Sequence, residues 1–124
     1  MNTGRIVNEK LFGKTELKSE KVELTKYDFK PFKRELDDSF ASYRNERRSG
    51  MQKAYAAVNA HDKDIRDILN KAEGSINEFK LKAKELGIDY RSTKQFKEFQ
   101  ELKEILQRSL SSIQEEAKNI SILL

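Results

Sequence analysis

His61 lies among Asp62, Asp64 and Asp67, the one neighbourhood in this sequence from which proton transfer or metal binding could be composed. An imidazole beside carboxylates can act as a general base or a metal ligand. Catalysis needs an oriented partner, however, and a metal site needs several ligands at set spacing. No His-Glu-x-x-His or Glu-x-x-His pattern occurs, and Asp62-Lys63-Asp64 lacks the glycine and terminal glutamate of a calcium loop. The cluster reads as a solvated helix face with His61 at or beside the apolar stripe. Ser109, Ser111 and Ser112 have no second histidine or nucleophile-elbow motif to activate them and read as helix surface. Gly4, Gly13, Gly50, Gly74 and Gly87 are scattered and form no phosphate-cradling loop, and cysteine is absent. The expectation is a non-enzymatic protein with no catalytic, cofactor-binding or metal-binding residues, no cofactor and no small-molecule substrate.

The remaining chemistry is positive charge. Arg44, Arg47 and Arg48, with Lys53 beyond them, fall three and four apart and share a helix face that could follow phosphates. Tyr43 and Tyr55 could stack on unpaired bases. Glu35, Asp37, Asp38 and Glu46 interrupt that face, so ion pairing on a wet surface accounts for it as well. The net charge is +4, and all of the excess lies in residues 1–53, which hold 13 Lys/Arg against 9 Asp/Glu. An anionic partner is permitted but not required.

Charged residues are 37% of the chain and hydrophobic ones 36%. Long helices with one apolar stripe and two wet faces have this composition. The stripe is legible twice. Ile65, Leu69, Ala72, Ile76, Phe79, Ala83 and Leu86 step by fours and threes, as do Phe99, Lys103, Leu106, Leu110, Ile113, Ala117, Ile120 and Leu124. Between them Leu86-Gly87-Ile88 predicts a helix end of the Schellman type, and Ser92-Thr93-Lys94-Gln95 a capping box. The short connection predicts an antiparallel neighbour.

Pro31 suits the first turn of a helix. Phe32, Leu36, Phe40 and Tyr43 then recur at helical spacing, and the pattern resumes after Ser49-Gly50 with Met51, Tyr55 and Val58. A two-residue Ser-Gly hinge looks tight for reversing direction, since helix–helix connections usually take about 2–8 residues. The reading is therefore all-α: an antiparallel, coiled-coil-like helical hairpin over residues 31–124, preceded by an extended N-terminal arm over residues 1–30. Its first helix covers about 31–86, continuous or gently kinked near 50. A turn follows at 87–93, then a second helix over about 94–120.

That reading leaves an overhang. The second helix covers the first only back to residue 60 or so, so Phe32 to Tyr55 would project bare aromatics into water, which soluble monomers seldom do. The apolar end at Ile120-Ser121-Ile122-Leu123-Leu124 likewise suggests a covered terminus. Protein partners or self-association are expected. Phe29, Phe32, Phe40, Tyr43 and Tyr55 would be the anchors, with Arg44, Arg47 and Arg48 setting orientation through carboxylates. The functional expectation is a structural or assembly protein, a helical strut or adaptor such as a phage virion component. The alternatives are a nucleic-acid-binding accessory factor using Arg44, Arg47, Arg48 and Lys53, or a small helical chaperone. With no signal-peptide pattern and no run near the ~20 apolar residues of a membrane span, a cytoplasmic protein, or a virion part assembled there, is expected.

Overall fold

The computed structural model describes residues 24–123; residues 1–23 of the arm expected over residues 1–30, and the stripe position at Leu124, lie outside them. Among the described residues the chain is all helical. Helix α1 spans Lys30–Arg47, α2 Met51–Glu85 and α3 Lys94–Leu123, with one short 3-10 turn at Tyr90–Ser92. At 1.5 Å per residue the three helices are ~27, ~52 and ~45 Å long.

The single rod expected from Pro31 to Leu86 is two helices, and this corrects the long-first-helix reading. Helix α1 stops at Arg47, the Ser49 N–H donates to the Glu46 carbonyl at 3.0 Å, and Gly50 takes φ +135° and ψ 168°. A residue with a Cβ avoids that conformation. Glycine therefore lets the backbone turn within three residues, a connection that looked too short from sequence alone. Helix α1 then lies along α2: Lys71 Nζ meets Glu35 Oε1 at 2.7 Å, and Ser39 reaches His61 and Asp64. The overhang disappears with the turn. Leu36 and Tyr43 are buried, and Phe32 and Tyr55 pack half-buried against the core, leaving Phe40 and Met51 as the large apolar side chains exposed in that segment.

Helix α2 is flanked by both of the others, which explains why its buried face is wider than a two-helix seam requires. Ala54, Ala57, Val58 and His61 continue the inward face toward the N-terminal end, and Ile68 goes deeper than Leu69. On α3 the inward position is Leu102 rather than Lys103. The Lys103 stem lies half-buried while its ammonium reaches 3.7 Å from Glu73 Oε2 on α2, the usual way a long cationic side chain sits beside an apolar seam. Val58, Ile65, Phe79 and Leu106 are fully enclosed, and each contributes about 1.5–3 kcal/mol of burial.

The helix stop at Gly87 matches its sequence signal. Gly87 takes φ +73°, the Ile88 N–H donates to the Ala83 carbonyl at 2.8 Å, and Ile88 packs back on the core. The start of α3 is capped one residue later than the pattern suggested. The Thr93 hydroxyl oxygen accepts from the Phe96 N–H at 3.2 Å, while the Ser92 hydroxyl donates to the Asp89 carbonyl. Gln95 is therefore free of capping duty. Its Nε2 donates to the Leu24 carbonyl at 3.3 Å in a buried position, tying the segment before α1 to the first turn of α3. Leu24 and Phe29 are buried beside it, with Tyr27 edge-on to Phe79 and Phe29 edge-on to Phe99.

Candidate functional site

Successive residues of an α-helix are turned by about 100°, so Ser39 and Phe40 leave α1 on opposite sides of the Leu36–Tyr43 line that faces the core. Ser39 falls on the α2 side. Its hydroxyl donates to Asp64 Oδ2 at 2.9 Å and lies 2.6 Å from His61 Nδ1. A hydroxyl has one proton to give, so with Asp64 as its acceptor the His61 Nδ1–H must be the donor to Ser39. His61 is 3% exposed and stacks on Tyr43. Burial pushes its pKa below the ordinary value, against the opposing pull of Asp64 and Asp62.

Serine, histidine and aspartate here do not form a nucleophilic triad. The carboxylate orients the serine instead of the imidazole, and the serine proton points away from the base. Ser39 also lies within α1, where the backbone N–H groups that an oxyanion hole would need are committed to helix hydrogen bonds. The arrangement is a polar clasp that fixes the rotation of α1 on α2.

Phe40 falls on the other side, over a cleft between α1 and α3. Helix α1 rests mainly on α2 and only lightly on α3, so the space between them is unfilled: a cavity of about 350 Å³ floored by Leu36, Tyr43, Ile105 and Ile113. One end is closed by a cross-helix bridge, Arg47 Nη1 to Glu116 Oε1 at 3.0 Å, with the Tyr43 hydroxyl 3.4 Å from the same guanidinium nitrogen. Burial, followed by hydrogen bonding to Glu116, raises the Tyr43 pKa; hydrogen bonding to Tyr43 and the charge of Glu116 raise that of Arg47.

The residues that sequence pattern singled out divide between core and surface. Phe29 and Tyr43 are core, and Phe32 and Tyr55 lie half-buried against it. Phe40 remains 45% exposed, with the Arg44 guanidinium 5.5 Å above its ring. Arg47 is engaged with Glu116, while Arg48 and Lys53 point to solvent with no partner among the described residues. The four basic residues thus do not act as one open row. Ser39, Arg108 and the cleft itself were not singled out. The signal for a third helix was present in the stripe, since Ala54, Ala57 and Val58 continue the inward face of α2 beyond residue 60, the reach expected for α3.

No family model matches the chain, and comparison with curated proteins and with solved structures finds no match. Among the described residues no helix is long and apolar enough to cross a membrane.

Proposed function

We propose that this chain is a non-enzymatic structural or assembly protein, a strut of antiparallel helices that serves as an adaptor within a larger complex, of the kind that builds a phage particle in the cytoplasm. The antiparallel arrangement is supported by the order of the cross-helix pairs. Glu35 and Ser39 on α1 meet Lys71 and Asp64 on α2, and Glu73 and Lys80 on α2 meet Lys103 and Phe96 on α3.

The observation that carries the reading is the exposed Phe40–Arg44 pair on α1. An aromatic ring with an arginine over its face is the side-chain type that dominates protein interfaces. Turning α1 back on α2 takes Phe29, Phe32, Tyr43 and Tyr55 out of the list of anchors, and leaves Phe40 as the aromatic available to a partner. A second copy of the chain is the partner that the virion reading implies.

Light scattering over a range of concentrations tests it. The full chain should gain mass as concentration rises, and Phe40→Asp or Arg44→Glu should return it toward monomer with its helical content unchanged. A chain that stays monomeric throughout, with both variants indistinguishable from it, would remove the basis for the proposal.

A further inference from the structure

The cleft between α1 and α3 has an unbalanced charge at its lip, and this defines what it can hold. Two carboxylates line it, Asp37 and Glu116, and each is already answered. Asp37 Oδ1 is 2.7 Å from Lys33 Nζ, and Glu116 is bridged to Arg47. Arg108 is different. It lines the same cleft and has no hydrogen-bond or ion-pair partner among the described residues. Glu104 and Glu115 share a shallower outer depression with it, but neither comes within ion-pair distance. Beside Arg108, Ser109 and Ser112 also line the cleft, and their hydroxyls have no partner among the described residues.

We infer that the α1–α3 cleft binds a small amphipathic monocarboxylate, its hydrocarbon part against Leu36 and Ile113 and its carboxylate on Arg108. The chemistry follows from the two halves of the site. An apolar cavity of about 350 Å³ lies at the small end of ligand pockets and suits a chain or single ring rather than a polymer. One uncompensated guanidinium with two hydroxyls beside it offers the planar fork and extra donors that a carboxylate accepts. A second negative charge inside the cleft would meet Asp37 and Glu116, and the cations beside them, Lys33 and Arg47, are already engaged. The ligand is bound, not transformed, since Ser39 is directed at Asp64 on the far side of α1.

Phe40 lines this cleft too, so the variant that tests the inference is placed on α3, where Arg108→Met leaves the Phe40–Arg44 pair intact. The probe is decanoate, with decanol as its uncharged counterpart, titrated below micelle formation into the full chain and followed by calorimetry and methyl NMR. Decanoate should bind one per chain and move the methyl signals of Leu36, Ile105 and Ile113, with decanol binding weaker by about tenfold or more. Arg108→Met should remove that preference without changing decanol affinity, and Lys118→Met, elsewhere on α3, should leave both affinities alone. Any of these results would overturn the inference: no decanoate binding, equal affinity for decanol, a preference that survives Arg108→Met, or an equal loss with Lys118→Met. Shifts confined to the exposed Leu81, Ile122 and Leu123 would do the same. Light scattering of Arg108→Met should match the unsubstituted chain, which distinguishes loss of carboxylate binding from loss of self-association.

Discussion

The His61 imidazole lies parallel to the Tyr43 ring, 5.3 Å between centroids and 4° between planes, so that the one histidine joins α1 to α2 through its face as well as its edge. That position sets its protonation behaviour. Burial holds the folded-state pKa below the ordinary 6.5, so the unfolded chain takes up the proton first as pH falls. The stability that neutral His61 contributes is fully present above pH 6.5, declines as pH drops below it, and is lost once pH has passed through the lowered folded value. The charges that act on the ring are Asp64 and Asp62 on α2; Tyr43 stacks on it, Lys33, Asp37, Arg108 and Glu116 share the α1–α3 cleft with it, and Glu46 lines a smaller pocket on the α2 side of α1. Urea midpoints measured from pH 8 downward should fall in this window for the native chain and much less for His61→Phe. Asp89, whose pKa is depressed below 3.8 by its hydrogen bonds to Arg91, acts only at lower pH and so does not mimic the effect.

Ser39→Ala should destabilise the fold by about 1–2 kcal/mol, because the His61 Nδ1–H loses its acceptor and one oxygen of Asp64 loses a donor. Ser39→Thr keeps the hydroxyl and should cost less. Chemical denaturation of the two variants makes the comparison. Equal losses would mean that the Ser39 hydroxyl is not what fixes α1.

Gly50→Ala should cost about 1–3 kcal/mol. A Cβ at Gly50 would have no neighbour within 4 Å, so the penalty is backbone strain at φ +135° and not a clash. The substitution also favours a helix running through residue 50, and small-angle scattering should show a more elongated population than in the native chain. A variant as stable and as compact as the native one would mean that the turn does not depend on glycine.

Phe79→Ala and Leu106→Ala remove side chains that are fully enclosed between helices and should cost about 2–5 kcal/mol each. Leu81, two residues after Phe79 but 65% exposed, should tolerate alanine within about 0.5 kcal/mol. Thermal melts that ranked Leu81→Ala with the other two would contradict the orientation of α2.

The parts of this fold that could be read from sequence are those decided locally. The stop at Gly87-Ile88 needs one glycine with positive φ and one apolar residue after it, and both are adjacent in the chain. The inward positions Ile65, Ala72, Ile76 and Phe79 repeat regularly enough to declare themselves. Gly50 was harder, because a glycine within a periodic region costs a helix only ~1 kcal/mol and does not by itself decide between a kink and a reversal. What decides is the burial of Leu36 and Tyr43 against α2, a tertiary term that no local window contains. The polar clasp was hidden for the same reason: Ser39 lies 22 residues from His61 and 25 from Asp64. Arg108 gave no signal of its own, since what distinguishes it is the pairing of the other charges around the cleft.

The return of α1 along α2 decides which aromatics are core, leaves Phe40 outside and creates the cleft beside α3. A distance between residues 35 and 71 tests it most directly. The chain has no cysteine, so spin labels at Glu35→Cys and Lys71→Cys can be attached without other changes and diluted with unlabelled protein to suppress contacts between copies. Glu35 and Lys71 are in contact in the folded chain, so the labels should lie within ~20 Å of each other, allowing for the reach of two side-chain labels across neighbouring helices ~8–10 Å apart. A continuous rod would hold them ~54 Å apart at 1.5 Å per residue, and a distribution centred there would contradict the account.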